Sequence, residues 1–320
     1  MSVGPHGPDP TVHRRRLRNE LRKARETAGK TQRDAAAAME WSQSKLIRIE
    51  TGAVNISTND LRALLAHYGV EDARVEALVE LARAARDVPR WSIYKDVATP
   101  EYISFLGYES SASIIRNFEP LLIPGLLQTE EYAREVISTV EDHTPPQRID
   151  ALVDLRMQRQ EIFVRNPTPL LHFIIDEAVI HRMVGGHGVA RRQLRRLRDA
   201  ADIPNVTIRI VPFTQGMYPR LRVPYVLFEF PEVEDEDVLF LENPFGDFVI
   251  RENSPEEKDK INPVNYLGIF WQLEQIANRE VAPAMLDGAL TRLERWVQRS
   301  ALQTGETSTS GDIRASEPAN

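Results

Sequence analysis

Four polar side chains between residues 43 and 48 have the types and the spacing to recognise DNA bases. Gln43, Ser44 and Lys45 are consecutive, and Arg48 follows one helical turn later on the same face. Glutamine can form two hydrogen bonds with adenine, and lysine or arginine can do so with guanine. We therefore predict that these four residues contact bases, although an exposed lysine or arginine taken alone is usually just a solvated surface residue.

A pair of helices joined by a short turn is needed to present these side chains. Thr31 and Asp34 form an acidic capping box at the start of the first helix, and Ser42 is the N-cap of the second. Only a turn through Glu40 and Trp41 separates the two helices. This is the helix-turn-helix arrangement, in which the second helix enters the major groove and the first crosses the phosphate backbone.

Basic and amide side chains near these helices are candidates for phosphate contacts. Gln32 opens the first helix of the pair, where backbone N–H groups have no partner within the helix. Such a helix end binds anions, so we predict that Gln32 contacts a phosphate. The basic run from Arg14 to Arg16 has two interpretations, namely contact with phosphate or a solvated helix end.

Residues 13–88 are predicted to be almost entirely helical. Apolar residues recur at helical spacing in five short segments, and Gly29, Gly52 and the capping residue Ser57 separate several of them. Five short helices predict a small all-α domain. Residues 1–12 are rich in proline and glycine and are predicted to be a disordered lead.

The charge distribution indicates two functions in one chain. The net charge is −7, yet residues 1–90 carry 16 basic and 12 acidic side chains, whereas residues 91–320 carry 24 and 35. The basic part is the candidate for binding a polyanion. One stretch of the acidic part, residues 229–247, has eight acidic residues and no basic one. It is either a solvated hairpin or a docking face for a basic partner.

From Pro89 the pattern changes, and residues 91–300 are predicted to form a larger α+β domain. Apolar, β-branched runs indicate strands, and amphipathic segments indicate helices. The extended segments are 112–122, 170–175, 206–212, 225–230, 238–241 and 248–250. The helices are 129–137, 147–164, 189–201, 264–278 and 283–300, and residues 91–135 contain a further helix besides the extended segment. Pro124 and Gly125 predict a tight turn before core residues Leu126 and Leu127. Residues 303–320 are small and polar and are predicted to be disordered.

This larger region has no recognisable catalytic or metal-binding pattern. Its histidines at positions 172, 181 and 187 lack metal-ligand spacing, and Glu177, four residues before His181, has no third partner. The Gly185–Gly188 segment matches no phosphate-binding fingerprint and indicates a flexible turn. The chain also has no cysteine, which excludes disulfides, thiolate metal sites and cysteine nucleophiles.

Several N-terminal strings have a joint spacing that is characteristic of one family. They are Leu21-x3-Arg25, Ala28-Gly-Lys-Thr-Gln32, Ala35-Ala36 and Ser42-Gln-Ser-Lys-Leu-x-Arg48-Ile-Glu-x-Gly52. On these strings, residues 14–70 resemble the Xre/Cro/cI-type helix-turn-helix family, the lambda-repressor-like domains. The resemblance implies base contacts at Gln43, Ser44, Lys45 and Arg48, with Gln32 on a phosphate. It also implies a partly buried ion pair between Arg25 and Glu50. Ile47 departs from the family, which often has a polar residue there.

A second group of strings lies in the larger region. They include Phe118-Glu-Pro-x3-Pro-Gly-Leu-Leu-Gln-Thr-x2-Tyr-Ala133, Arg156-x2-Arg-Gln-Glu161 and Ile175-Asp-Glu-Ala-Val179. On these strings, residues 91–275 resemble the C-terminal domain of actinobacterial Xre-type regulators described as antitoxin-like. The resemblance implies that this domain binds a small protein encoded nearby, dimerises or senses a signal, and it assigns no role to individual residues.

Together these observations predict an all-α, lambda-repressor-like five-helix N-terminal domain over residues 13–88, followed by a larger α+β domain over residues 91–300. We expect a sequence-specific transcriptional regulator that binds a double-stranded DNA operator as a homodimer and is modulated through its C-terminal domain. The alternative is an antitoxin-like adaptor that binds a small partner protein and uses DNA binding mainly for autoregulation. We expect a cytoplasmic, nucleoid-associated protein with no enzymatic activity, no cofactor, no metal site and no membrane span.

Overall fold

The computed structural model of the chain describes residues 8–140, 144–232, 235–242, 248–252 and 261–306. The α-helices are α1 (Pro10–Thr27), α2 (Gln32–Ala38), α3 (Gln43–Glu50), α4 (Thr58–His67), α5 (Asp72–Ala84), α6 (Pro100–Ser111), α7 (Glu130–Val140), α8 (Pro146–Gln158), α9 (Gly186–Ala200), α10 (Pro263–Ile276) and α11 (Ala282–Glu306). The strands are β1 (Ile114–Glu119), β2 (Leu170–Asp176), β3 (Val206–Val211), β4 (Tyr225–Glu229), β5 (Val238–Glu242) and β6 (Phe248–Glu252). Short 3-10 helices lie at Arg90–Tyr94, Gly125–Leu127, Arg159–Val164, Glu177–His181, Phe213–Gln215 and Arg279–Val281. The predicted order, a helical N-terminal region and then an α+β region, is confirmed.

Side-chain caps determine where the first helices begin. Thr31 Oγ1 accepts a hydrogen bond from Asp34 N at 3.1 Å, and the Asp34 carboxylate accepts one from Thr31 N at 3.1 Å, which is the predicted capping box. Ser42 and Ser57 cap α3 and α4 through their hydroxyl oxygens. Each bond satisfies a backbone N–H that the helix itself leaves unpaired. Helices α2, α3 and α4 therefore begin where the sequence predicts.

The start of α1 differs from the prediction. Residues 1–12 were expected to be disordered, but α1 begins at Pro10, and Thr11 and Val12 are buried. Asp9 caps the helix by accepting a hydrogen bond from Thr11 N at 2.9 Å. A proline at the first helical position has the right φ and lacks only an N–H that would be unpaired there anyway. The prolines that indicated coil therefore include one that starts a helix, whereas residues 1–7 lie outside the described part of the chain.

Helices α1 to α5 share one apolar core. Each contributes a residue that is at most 1% exposed, and these are Leu21, Ala35, Leu46, Leu61 and Val79. Burying a leucine or valine side chain of this kind stabilises a fold by about 1.5–3 kcal/mol. Because α3 contributes Leu46 and Ile49 to this core, its opposite face is held outward.

The compact units of the structure do not follow the predicted boundary near residues 88–91. The first unit comprises Met1–Arg116, Glu161–Leu171 and Tyr225–Ile269, and the second comprises Asn117–Gln160, His172–Pro224 and Phe270–Asn320. The five N-terminal helices therefore belong to the same unit as α6 and strands β4 to β6.

Close packing between α1 and α6 explains why α6 belongs to the same unit as the N-terminal helices. Asp9 N donates to Ser111 Oγ at 2.8 Å, so the α1 N-terminus is tied to the end of α6. The two helices approach at Gly107, where an added Cβ atom would lie 2.5 Å from Thr11 Oγ1. No local sequence pattern predicts this contact, because Asp9 and Ser111 are 102 residues apart in the chain.

The six strands form a sheet in the order β3-β2-β1-β4-β5-β6. Within the first unit, β4 to β6 are antiparallel, with Tyr225 opposite Leu241 and Val238 opposite Glu252. The connection from β4 to β5 carries the first part of the predicted acidic stretch. The predicted sheet is therefore confirmed, and its strands lie within a few residues of their predicted positions.

In the second unit, the segment from Pro124 to Thr129 has the structural role that its residues predict. Leu126 and Leu127 are buried, and Gln193 of α9 holds the backbone on both sides. Its amide donates to Leu127 O at 2.8 Å, and its carbonyl oxygen accepts from Thr129 N at 2.7 Å. Helix α11 packs against α9 and extends to Glu306, so the predicted disordered tail is wrong for residues 303–306. Residues 307–320 lie outside the described residues.

Within the same described ranges, none of the helices combines the length and the apolar character that crossing a bilayer requires.

Candidate nucleic-acid interface

The turn between α2 and α3 is a compact hydrogen-bonded cap. Trp41 N donates to Ala36 O at 2.8 Å, and Glu40 N donates to Ala37 O at 3.1 Å. This pair of bonds is a Schellman motif, which ends a helix with one residue in the left-handed region. That residue is Glu40, whose φ of +54° is a conformation that glycine adopts more readily. The turn therefore ends α2 and redirects the chain into α3 through two local hydrogen bonds.

Helix α3 presents one apolar and one polar face. Leu46 and Ile49 are buried, at 0% and 3% exposure. Gln43, Ser44 and Arg48 lie on the opposite, exposed face. Among the described residues, none of these three side chains has a hydrogen-bond or ion-pair partner in the protein. Three of the four predicted base-contacting side chains are thus available to an external partner.

Lys45, the fourth predicted base-contacting residue, is bound within the domain. Its ammonium lies 3.8 Å from the centre of the Trp41 ring and 3.6 Å from Asp60 Oδ2. A cation–π contact and an exposed ion pair are each worth about 0.5–1 kcal/mol. A base contact by Lys45 must therefore compete with contacts inside the protein.

Arg25 and Glu50 form a buried pair between α1 and α3. Arg25 Nε donates to Glu50 Oε1 at 2.7 Å and Nη2 donates to Oε2 at 3.2 Å, while Nη1 donates to Lys30 O at 3.0 Å. Glu50 is 1% exposed and Arg25 is 9% exposed. Burial acts to lower the pKa of Arg25, but its hydrogen bonds to Glu50 raise that pKa above the ordinary value. The pair holds the end of α3 against α1.

Gln32 belongs to the same network. Its side-chain amide donates to Glu50 Oε2 at 2.8 Å. The predicted phosphate contact would need an amide that is free to bind outward, but in the unbound protein this amide is bound to Glu50. An amide NH2 has two hydrogens, however, so one donor remains when the other is bound to Glu50. Gln32 therefore links the start of α2 to the buried pair.

Tyr68 at the end of α4 lies in the electrostatic environment of this pair. It is 7% exposed, and its hydroxyl has no hydrogen-bond partner among the described residues. Burial, followed by the Glu50 carboxylate, raises the pKa of Tyr68 to about 12. Ionising this hydroxyl would place a second anion beside Glu50.

Neither interpretation of the basic run from Arg14 to Arg16 describes Arg15. Its side chain is 0% exposed, and its guanidinium lies 4.5 Å from the Phe230 ring centre and 5.5 Å from that of Tyr108. Arg14 instead donates to the backbone oxygens of Ala85 at 2.7 Å and Asp87 at 3.0 Å. These two arginines therefore hold α1 against α6, the β4 end and the end of α5. The sequence contained no signal for this role, since the partners of Arg15 are distant in the chain.

The described part of the acidic stretch contacts the same chain. Arg116 Nε donates to Glu229 at 2.6 Å, and Asn19 of α1 donates to Glu236 at 3.3 Å. Burial raises the pKa of Asp235, opposed by the charges of Arg16 and Arg15. Burial and then Glu229 raise the pKa of Asp237 to about 6. Some of the acidic side chains that suggested a docking face for a basic partner therefore already have partners within the same chain. Residues 233–234 and 243–247 of this stretch lie outside the residues that the structure describes.

Comparison with known families agrees with this geometry. Residues 16–78 match a helix-turn-helix domain family, and this range includes α2, the turn and α3. Residues 102–258 match a family described as a domain of unknown function (DUF5753). No curated protein and no solved structure matches the chain. The N-terminal region is thus a helix-turn-helix domain, which supports a DNA-binding regulator of transcription.

Proposed function

We propose that this protein is a sequence-specific transcriptional regulator of the Xre type, with a lambda-repressor-like head that places α3 in the major groove of its operator. The observation that carries the proposal is the exposed face of α3. Gln43, Ser44 and Arg48 project from a helix that is capped at its start and held by a buried ion pair at its end. A helix-turn-helix reads bases with the first residues of this second helix.

The contacts of each side chain within the protein suggest which part of the DNA it binds. Arg48 is the candidate for guanine and Gln43 for adenine, because both are exposed and have matching donors and acceptors. Lys45 must break its contacts with Trp41 and Asp60 before it can bind a base, so it contributes less to the DNA affinity than Arg48 does. Gln32 uses its second amide hydrogen on a phosphate, which helps position the protein but does not read sequence.

A single helix-turn-helix buries too little surface for the affinity of a typical operator complex. We therefore propose that two copies bind two half-sites about 34–36 Å apart, one helical turn of DNA. The region after α5 would set this oligomeric state and respond to a signal. The adaptor alternative, in which the acidic stretch binds a basic partner protein, is less favoured because Glu229 and Glu236 already contact Arg116 and Asn19.

The test is to select DNA sites from a random library with the full-length protein and then measure affinities for the selected site and for an unrelated duplex. Arg48→Ala is expected to weaken binding to the selected site by about 1–3 kcal/mol and to relax preference at one base position. Arg33→Ala is the matched control for charge. Arg33 is exposed on α2, the helix proposed to cross the phosphate backbone, so its loss is expected to weaken binding to both duplexes about equally. Equal affinities of Arg48→Ala and wild type for the selected site would refute the assignment of α3.

A further inference from the structure

A cavity of about 180 Å³ lies in the second unit, beside the 3-10 helix Glu177–His181 and helices α9 and α11. Its inner wall consists of buried apolar side chains that are each at most 6% exposed. These are Ile123, Val179, Ile180, Ala190, Leu194 and Leu293. An apolar cavity of about 150 Å³ is already large enough to hold benzene. This cavity therefore has room for one aromatic ring.

The mouth of the cavity is polar and carries positive charge. His181, Arg182 and Arg292 line it, and Arg292 Nη2 lies 3.1 Å from His181 Nε2. Guanidinium has five N–H donors, so this contact leaves others available to a ligand. Within the described ranges, neither arginine is paired with a carboxylate.

Among the described residues, Glu177 is a carboxylate close to this mouth, and its Oε2 atom already has a partner in the protein. Glu177 Oε2 accepts from Phe213 N at 2.8 Å. Oε1 lies 3.4 Å from His181 Nε2, which donates to it only in the tautomer in which that nitrogen carries the proton and does not accept from Arg292. Arg182 and Arg292 line the cavity itself, whereas Glu177 does not, so the charge of the lining is positive. The mouth therefore attracts a singly charged anion.

An aromatic side chain borders the opening. Trp296 of α11 lines the cavity although 52% of it is exposed. Its ring is stacked on His187, with centres 3.8 Å apart and planes 12° apart. Stacking of two aromatic rings is favourable, so it favours this orientation of the exposed indole. A planar ligand entering the cavity would meet the Trp296 ring at the entrance.

We propose that the cavity binds a small aromatic monocarboxylate with one ring. The ring occupies the apolar wall between α9 and α11, and the carboxylate lies at the mouth and accepts hydrogen bonds from Arg292 and Arg182. Charge-assisted, bidentate hydrogen bonds to a carboxylate are typical of arginine. Binding stands independently of DNA recognition, whereas the role of the ligand as a signal rests on the proposed function.

Calorimetry on the full-length protein with phenylacetate as the probe tests the site. Phenylacetate is expected to bind saturably with a stoichiometry of one per chain. Benzyl alcohol, which keeps the ring and lacks the charge, is expected to bind about tenfold more weakly, and acetate, which lacks the ring, is expected not to saturate. Absence of saturable phenylacetate binding, or equal affinity for phenylacetate and benzyl alcohol, would overturn the proposal.

Two exposed arginines on α11 form a matched pair of variants. Arg292→Gln is expected to weaken phenylacetate binding about tenfold and to leave benzyl alcohol binding unchanged. Arg295→Gln removes the same charge from the same helix at a position that does not line the cavity, and it should bind phenylacetate like wild type. Equal losses in the two variants would show that the anion is held by the general charge of α11, which contradicts the proposed site.

Operator affinity measured with and without saturating phenylacetate separates the site from its regulatory role. A change in affinity supports the cavity as the sensor of the regulator. Saturable binding with no change in operator affinity retains the site and refutes its role as a sensor. Failure of the protein to bind any selected operator refutes the proposed function while the calorimetric result for the cavity still stands.

Discussion

Replacing Glu50 with glutamine tests whether the buried pair holds α3 in place. The change keeps the shape of the side chain but removes the charge that neutralises Arg25. Breaking a buried ion pair by altering one partner costs about 3–5 kcal/mol, because the remaining charge stays buried without compensation. The Arg25 side chain is 11% exposed and retains its bond to Lys30 O and its 3.4 Å contact with Glu26 Oε1. Water, the backbone and this second carboxylate therefore relieve part of that cost. We therefore expect a loss at the lower end, about 3 kcal/mol.

The exposed pair Arg62–Glu76 supplies the control. Arg62 also contacts both carboxylate oxygens of its partner, but both side chains are largely in solvent. Exposed pairs contribute little because water screens them and the side chains lose freedom. Glu76→Gln is therefore expected to leave stability unchanged within measurement error.

Urea unfolding of the full-length variants, followed by circular dichroism, gives the loss of stability. Hydrogen exchange of peptides covering residues 42–52 shows whether α3 is the part that opens. The expected result for Glu50→Gln is a lower urea midpoint together with faster exchange in α3. If Glu50→Gln and Glu76→Gln lowered the midpoint by the same amount, the buried pair would not be the anchor of α3, and the reasoning would be refuted.

Three further predictions concern other contacts of the first unit. The folded-state pKa of Tyr68 is raised to about 12 from 10.0, so the stability that its neutral form contributes is complete below pH 10 and is lost as the pH rises through about 12. Tyr68→Phe should abolish about 2 kcal/mol of that alkaline loss in urea midpoints measured across this range, and an unchanged pH profile would contradict it. Gly107→Ala should destabilise the protein by about 1–3 kcal/mol because its methyl group would clash with Thr11. Gly268→Ala in α10 is the control: an added Cβ there meets nothing within 4 Å, so the change should stabilise the protein by about 1 kcal/mol. If the melting temperatures of the two variants moved in the same direction, the result would argue against the α1–α6 contact. Lys45→Ala should weaken binding to the selected DNA site less than Arg48→Ala does, because Lys45 gives up contacts with Trp41 and Asp60 to reach DNA; a larger loss for Lys45→Ala in anisotropy titrations would reverse that order.

The arrangement of the helix-turn-helix could be predicted because its signals are local. The Thr31 capping box and the Ser42 cap each lie within three residues of the N–H groups that they satisfy. The apolar spacing of Leu46 and Ile49 likewise fixes which face of α3 is buried. These interactions depend on residues within one or two turns, so the sequence alone predicts the helix boundaries and the exposure of Arg48.

The pairing of charged side chains could not be predicted in the same way. Lys45 and Arg48 look equivalent in the sequence, yet only Lys45 has Trp41 and Asp60 within reach. Arg15 looks like a solvated member of a basic run and is fully buried against Phe230. A charged side chain takes whatever partner the fold brings near it, and charge patterning does not report which partner that is.

The sequence by itself therefore determined that the chain begins with a helix-turn-helix domain and continues as an α+β region, because capping, helical spacing and strand alternation depend on neighbouring residues. Only the tertiary structure decided that α1 packs on α6, that Gln32 joins the buried pair of Arg25 and Glu50, and that a cavity opens beside α9 and α11. These features unite residues that are far apart in the chain, and their free energy comes from packing and desolvation that exist only once the chain has folded.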